Sequence, residues 1–270
     1  MSALTLRIIA CICMLMDHVG IFCDLEPLRW IGRLAFPLYV FLMVNGFRHT
    51  KSRLRYAARF GIFALLSQIP FFILTFYNYI NPKYMHLVII KRPELVFTNW
   101  NVMVTLLVAL LVIWATEIML RHKYLRWGCF IPLLATMIAY YIGWIRSDYG
   151  VKGAILAVVF LLFDGKEPYK RVLMALGTFF GLFYGVFLHY AYLFAQGYWA
   201  NFALPTYWQT VQLVGLLALP LMFLYNGKPG KLPQNRIAKK SVQLGFYAFY
   251  PAHMLLLWLI FQLLPSLILQ

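Results

Sequence analysis

Four polar side chains set in long apolar runs hold most of the chemistry this sequence offers. The first apolar segment contains Arg7, Asp17 and His18, and the second contains Arg33 about one turn from its N-terminal end. Arg7 and His18 are eleven residues apart. At about 100° per residue that is within roughly 20° of three full turns, so they share one helix face and are separated by roughly 16 Å along the axis. Asp17 beside Arg33 neutralises two costly charges at once. A carboxylate near an imidazole also orients the ring and raises its basicity, which is a general-base arrangement. An Asp17–Arg33 ion pair that only locks two helices, with His18 hydrogen-bonded beside it, accounts for the same residues. On insertion scales a charge at mid-membrane costs about 2.5–3.5 kcal/mol, so each of these groups is a functional candidate.

Other residues could extend such a site. His253 lies in the last apolar segment within Tyr250, Pro251, Ala252 and His253, and His189 lies in the seventh; a lone buried histidine is more often a satisfied core residue than a catalyst. Asn101 opens the fourth segment, and Asp148 and Tyr149 precede the sixth, where they line a site or cap helices. Between the second and third segments stand Arg48, His49, Lys51, Arg53, Arg55 and Arg59. Such a cluster binds anionic lipid and sets topology, or docks a phosphorylated cofactor, because the Arg fork fits phosphate oxygens bidentately. Cys11, Cys13, Cys23 and Cys129 lack paired metal spacing, so neither a disulfide framework nor a metal site is expected.

The elements that must position these groups are membrane helices. Of 270 residues, 63% are hydrophobic and 12% charged, against roughly 25% charged in soluble domains. The apolar runs are about twenty residues long, the length that crosses a hydrocarbon core of roughly 30 Å. The fold class is therefore all-α: one polytopic integral membrane domain over residues 1–270. Nine crossings are expected, at 4–23, 29–47, 56–77, 99–120, 124–144, 150–163, 172–194, 207–225 and 242–264, the sixth being short. The first is read as a retained helix rather than a signal peptide, since it carries Arg7, Asp17 and His18. Most of the 24 Lys and Arg residues fall at Arg7, 48–59, 121–126, 166–171 and 228–240. These all lie on one side of such a bundle, which the positive-inside rule makes the cytoplasm, with the N-terminus inside. The net charge of +16 then reflects topology, and no nucleic acid is expected as a partner. Gly177, Gly181 and Gly185 form a small-residue ridge on the seventh segment that suits close helix packing.

Seven polar-marked words run through the chain: MLMDHVG (14–20), IGRLAFPLYVF (31–41), GFRHTKSRLRY (46–56), LLSQIPF (65–71), SDYGVKG (147–153), LYNGKPG (224–230) and FYAFYPAHMLLL (246–257). In these the chain resembles the TraX family, named for pilin N-acetylation in conjugation systems and itself similar to acyltransferase-3 membrane enzymes. The resemblance implies acetyl transfer from acetyl-CoA, as co-substrate, to an amino group, the N-terminal amine of a processed pilin in TraX itself, at the bacterial inner membrane. Acyltransferase-3 proteins are similar in placing a basic residue, ten intervening residues and a histidine in the first helix, as Arg7 and His18 are placed here. By that likeness His18 is the catalytic base, oriented by Asp17, with Arg33 balancing Asp17 or stabilising the oxyanion. Arg7, Arg48, Arg53, Arg55 and Arg59 are the expected cofactor contacts.

Direct transfer and an acetyl-histidine relay fit these residues equally, and since acyltransferase relatives also modify sugars, a carbohydrate is the alternative to an amine acceptor. A transporter or assembly scaffold with Arg7, Asp17, His18 and Arg33 as its polar pathway is the rival from another class. Against it, no inverted repeat or matched pair of Gly/Pro-broken segments is visible. The proposed topology has a direct consequence. In a cysteine-free background, Lys51→Cys in bacterial cells should react with a membrane-permeant maleimide and resist an impermeant one; the reverse labelling overturns the assigned orientation.

Overall fold

The computed structural model describes residues 1–76, 85–197, 210–231 and 233–268. Twelve α-helices lie among them: α1 Ala3–Cys23, α2 Glu26–Gly32, α3 Ala35–His49, α4 Arg53–Phe76, α5 Met85–Lys91, α6 Pro93–Val96, α7 Val102–Arg121, α8 Ile131–Tyr141, α9 Lys152–Phe163, α10 Pro168–Ala195, α11 Ala218–Phe223 and α12 Arg236–Ile268. A 3₁₀ helix, Gln212–Leu217, leads into α11. The only backbone pairing of strand type among the described residues is one bridge between Trp100 and Ser147.

The helix ends follow local chemistry. Ser2 caps α1, its hydroxyl accepting from the Thr5 amide at 3.2 Å. The next free amides at that end are taken by the LYNGKPG stretch: Ala3 N–H donates to the Lys228 carbonyl and Leu4 N–H to the Pro229 carbonyl. Gly230, at φ 93°, suits this clamp, since a Cβ there would lie 2.7 Å from Ser2 Oγ. The second apolar segment is broken between α2 and α3 at Arg33. Pro37 has no N–H to offer the Arg33 carbonyl, and Arg33 and Leu34 instead turn tightly onto the carbonyls of Trp30 and Ile31. The break sets the depth of Arg33.

Among the described residues, six helical segments are long and apolar enough to cross a membrane: Ala3–Cys23, Glu26–His49 through the break, Arg53–Phe76, Val102–Arg121, Pro168–Ala195 and Ile237–Gln262. Their outer faces carry exposed apolar residues at helical spacing, such as Ile8 and Ile12, Ile62, Leu65, Leu66 and Ile69, and Leu256, Leu259 and Ile260. A belt of this extent suits lipid and not water, so the chain is a membrane protein. The described parts of the other three expected crossings fall short of that length. The 124–144 segment forms the eleven-residue α8, the 150–163 segment the twelve-residue α9, and 207–225 contributes the apolar stretch Gln212–Phe223, with 207–209 outside the described residues. A twelve-residue helix spans roughly 18 Å, well short of the hydrocarbon thickness. Among the described residues six segments have crossing length, and the expected nine are not reached.

The shortness of α9 has a packing explanation. Val151 and residues 153–160 are buried almost without exception. This helix, apolar all round, is walled in by protein rather than lipid: α7 and α10 pack on it from two sides and α3 from a third. Around this centre α3 packs on α1, α4 on α7, and α12 bridges α4 and α1. The expected glycine ridge holds for two of its three members. Cβ atoms at Gly177 and Gly181 would meet Val159 methyls at 2.8 Å and Leu156 Cδ2 at 3.0 Å, whereas Gly185 faces open space. Gly177→Leu should therefore lower the thermal midpoint of the detergent-solubilised protein, an overpacking cost of about 1–3 kcal/mol, while Gly185→Leu leaves it unchanged.

Candidate functional site

Enclosed by α1, the α2–α3 break, α3, α4, α7 and α12 is a cavity of about 590 Å³, within the usual range of small-molecule sites. One face of α1 lines it with Arg7, Met14, Asp17 and His18, so the periodicity that puts Arg7 and His18 on one side holds in the fold. At one end lie Asp17, His18, Gly32, Asp148 and Tyr149. At the other lie Arg7, Arg59, His49 and Lys51, the last two exposed at the surface.

The His18 end is built from helices remote in sequence. His18 Nδ1 lies 2.6 Å from His253 Nε2 of α12, and His253 Nδ1 lies 2.5 Å from the Phe249 carbonyl oxygen. Asp17 does not contact the imidazole; its Oδ1 is 3.7 Å from Arg33 Nη2. Gly32 makes this approach possible, because any Cβ there would overlap Asp17 Cβ. Arg33 Nη1 donates to the Tyr149 hydroxyl at 3.4 Å, and the Tyr149 ring stacks on Phe36 with centroids 3.7 Å apart. Asp17 Oδ1 and Arg33 Nε have no hydrogen-bond partner although both atoms are enclosed, and an atom in that condition is a reason to look for a ligand.

The basic end sorts the arginine cluster. Arg48 donates to the Asp164 carboxylate and to the Phe160 and Leu161 carbonyls at 3.2 and 2.7 Å, so it caps the C-terminus of α9. Arg53 is paired with Glu117 at 2.5 Å and lies over the Phe47 ring. Arg55 is exposed and outside the cavity lining. Arg7 and Arg59 alone of the five expected arginines line the cavity, and among the described residues neither pairs with a carboxylate. Arg7 sits over Phe246, and Arg59 over Tyr56 and Tyr247. Arg59 Nε–H donates to the Arg55 carbonyl at 3.3 Å, but aromatic faces hold a cation without consuming its N–H donors, which leaves the terminal Nη donors available to an anion.

Of the secondary candidates, Asp148 and Tyr149 line the cavity and His253 backs His18. Asn101 does neither. It is fully buried, caps α7 through Met103 N–H at 2.9 Å, and donates to Gln68 Oε1 and the Ala64 carbonyl; the helix-capping reading of Asn101 is the one the structure carries. His189 is exposed on α10, remote from the cavity. Among the described residues no group of His, Cys, Asp or Glu side chains is arranged to hold a metal ion.

The family description "TraX protein" matches residues 2–261. The chain belongs to the TraX family. It is also 28% identical over 266 residues, 95% of this chain and 94% of the relative, to a Dichelobacter nodosus protein named "Probable fimbrial assembly protein FimC, serogroup H1". No solved structure matches the chain. Four of the seven polar-marked words converge here: MLMDHVG, IGRLAFPLYVF, SDYGVKG and FYAFYPAHMLLL all contribute to the His18 end.

Sequence reasoning singled out His253 on α12 but missed the rest of that helix face. Gln243, Phe246, Tyr247 and Tyr250 line the cavity at spacings of three and four, the signature of a single helix face, and the same spacing reaches His253. In the segment between α8 and α9, Asp148 lines the cavity and is exposed on that side. Burial and then the nearby Asp17 carboxylate push it up to about 6, opposed by Arg33 and Lys152. A carboxyl held above its ordinary 3.8 keeps an extra proton in the fold between about 4 and 6. Its destabilising effect is thus absent below that window and complete above it. Asp148→Asn should therefore raise the thermal midpoint at pH 7.5, leave it unchanged near pH 3.5, and flatten the decline of stability between those values.

Proposed function

We propose that this TraX-family protein is a membrane acetyltransferase that moves the acetyl group of acetyl-CoA to an amino group, with the N-terminal amine of a fimbrial or pilin-like subunit as acceptor. The observation that carries this reading is the single cavity joining an imidazole at one end to carboxylate-free cations at the other. A thioester on a long, polyanionic carrier needs that separation. The phosphates of acetyl-CoA stay by Arg7, Arg59, His49 and Lys51, and the pantetheine arm runs along the Arg7–Met14–His18 face of α1. With the basic end cytoplasmic and the N-terminus inside, in the bacterial inner membrane, the acceptor meets the thioester from the opposite side. The relative's name, a fimbrial assembly protein, supports an acceptor of that kind.

In the reaction the acceptor nitrogen attacks the thioester carbonyl, and His18 takes the proton it sheds as the C–N bond forms. The tetrahedral intermediate collapses with cleavage of the C–S bond, and the sulfur leaves with the proton held by His18. Oxyanion stabilisation suits Tyr149 better than Arg33. Arg33 does not line the cavity; it donates to the Tyr149 oxygen and so leaves the phenolic proton for the substrate. Burial holds the Tyr149 hydroxyl above its ordinary range and hence protonated. Asp17 anchors Arg33. Holding thioester and amine together in one cavity supplies the remaining advantage as proximity.

The test uses purified, detergent-solubilised protein with labelled acetyl-CoA and amine-terminated peptides. His18→Ala should abolish CoA release by about 10²-fold or more. Arg59→Ala and Arg7→Ala should raise the KM for acetyl-CoA with little change in kcat, and Arg55→Ala should leave both alone. Transfer to sugars and not peptides would reassign the acceptor. Absence of both binding and turnover in the wild type would overturn the enzyme reading in favour of a transporter or scaffold.

A further inference from the structure

The two histidines at the head of the cavity are related more closely than a packing contact requires. Their ring planes differ by 4° and their centroids are 4.8 Å apart. Stacked faces stand off by about 3.5 Å, so a nitrogen-to-nitrogen approach of 2.6 Å between parallel rings must lie within a common plane, edge to edge. This is a hydrogen bond aimed along a lone pair.

The proton positions along the chain follow from its far end. The Phe249 carbonyl only accepts, so His253 Nδ1 carries a hydrogen. His253 is 4% exposed and, among the described residues, contacts no carboxylate, so a second proton would leave an unpaired buried cation. Its Nε2 is then a lone pair, the hydrogen in the 2.6 Å contact belongs to His18 Nδ1, and His18 Nε2 is bare. We infer that His253 is a positioning residue: it accepts the His18 Nδ1 hydrogen and thereby fixes His18 in the tautomer whose basic nitrogen, Nε2, is free for the substrate in the cavity. This is the place that a carboxylate takes in a Ser-His-Asp triad, occupied here by a neutral imidazole held by its own helix backbone. A neutral partner suits an apolar bundle, since it orients the base without adding a buried charge.

The inference rests on the reading of His18 as the base, but its test does not depend on turnover. In protein carrying ¹⁵N-histidine, with His18 assigned by its absence from His18→Gln, the nitrogen spectrum of the wild type should show Nδ1 protonated and Nε2 bare. His253→Phe keeps a flat ring against Phe249 and removes the acceptor. It should move His18 toward the Nε2-protonated tautomer, which free imidazole prefers, and lower kcat by about 10²-fold while KM for acetyl-CoA changes less than about twofold. His253→Gln, whose amide oxygen accepts the same hydrogen bond, should recover both the tautomer and most of the rate. A wild-type His18 protonated on Nε2, or a tautomer unmoved in His253→Phe, overturns the inference. A wild type with the stated tautomer but no acetyl transfer refutes the acetyltransferase reading alone.

Discussion

An ionisable group inside an apolar bundle must find most of its partners on other helices, because lipid offers none and its own helix backbone only a spare carbonyl, and much of the tertiary arrangement here can be traced to that requirement. His18 of α1 is met by His253 of α12. Asp17 of α1 is met by Arg33 at the α2–α3 break, and Arg33 reaches on to Tyr149 beyond α8. Arg48 of α3 closes the carbonyl end of α9, and Arg53 of α4 meets Glu117 of α7. Each link joins segments that apolar packing alone would leave free to slide, since lipid tails and leucines are equally apolar. A polar pair specifies register where hydrophobicity does not.

The same requirement separates structural cations from functional ones. A guanidinium that has found a carboxylate or a helix end has its donors committed, as in Arg48 and Arg53. Arg7 and Arg59 rest on aromatic faces instead. Such contacts stabilise the charge by about 0.5–2 kcal/mol and leave the terminal Nη donors free, Arg59 Nε alone being spent on the Arg55 carbonyl. The aromatic content of α12 therefore does more than fill space: Phe246 and Tyr247 hold these two cations at the cavity wall, and Tyr250 continues the same face toward His253.

Local backbone chemistry places the two ends. Pro37 breaks the second apolar segment at the residue that anchors Asp17, so Arg33 leaves the helix surface at the depth of His18. The short, fully enclosed α9 keeps the preceding 147–151 segment pressed against the bundle, where Thr105 donates to Ser147 at 2.8 Å and Tyr140 shares a 2.7 Å hydrogen bond with the same hydroxyl. Asp148 and Tyr149 are carried to the cavity by that latch rather than by any helix of their own.

What the residues alone determined is what depends on near neighbours. The helical, membrane-embedded class follows from run length and composition, because transfer free energy accumulates residue by residue. The shared face of Arg7 and His18 follows from the 3.6-residue turn, and the family words followed from residue identity. What only the tertiary structure decided are the meetings between segments far apart in the chain. His253 reaches His18 across 235 positions, Arg59 rather than Arg48 faces the cavity, Asn101 is spent on capping, and α9 is enclosed by protein where length alone left a crossing open. Apart from the capping position of Asn101, none of these has a local signal. In an apolar solvent many helix arrangements bury similar area, and the choice among them falls to a few polar contacts whose partners are named only when the chain is folded.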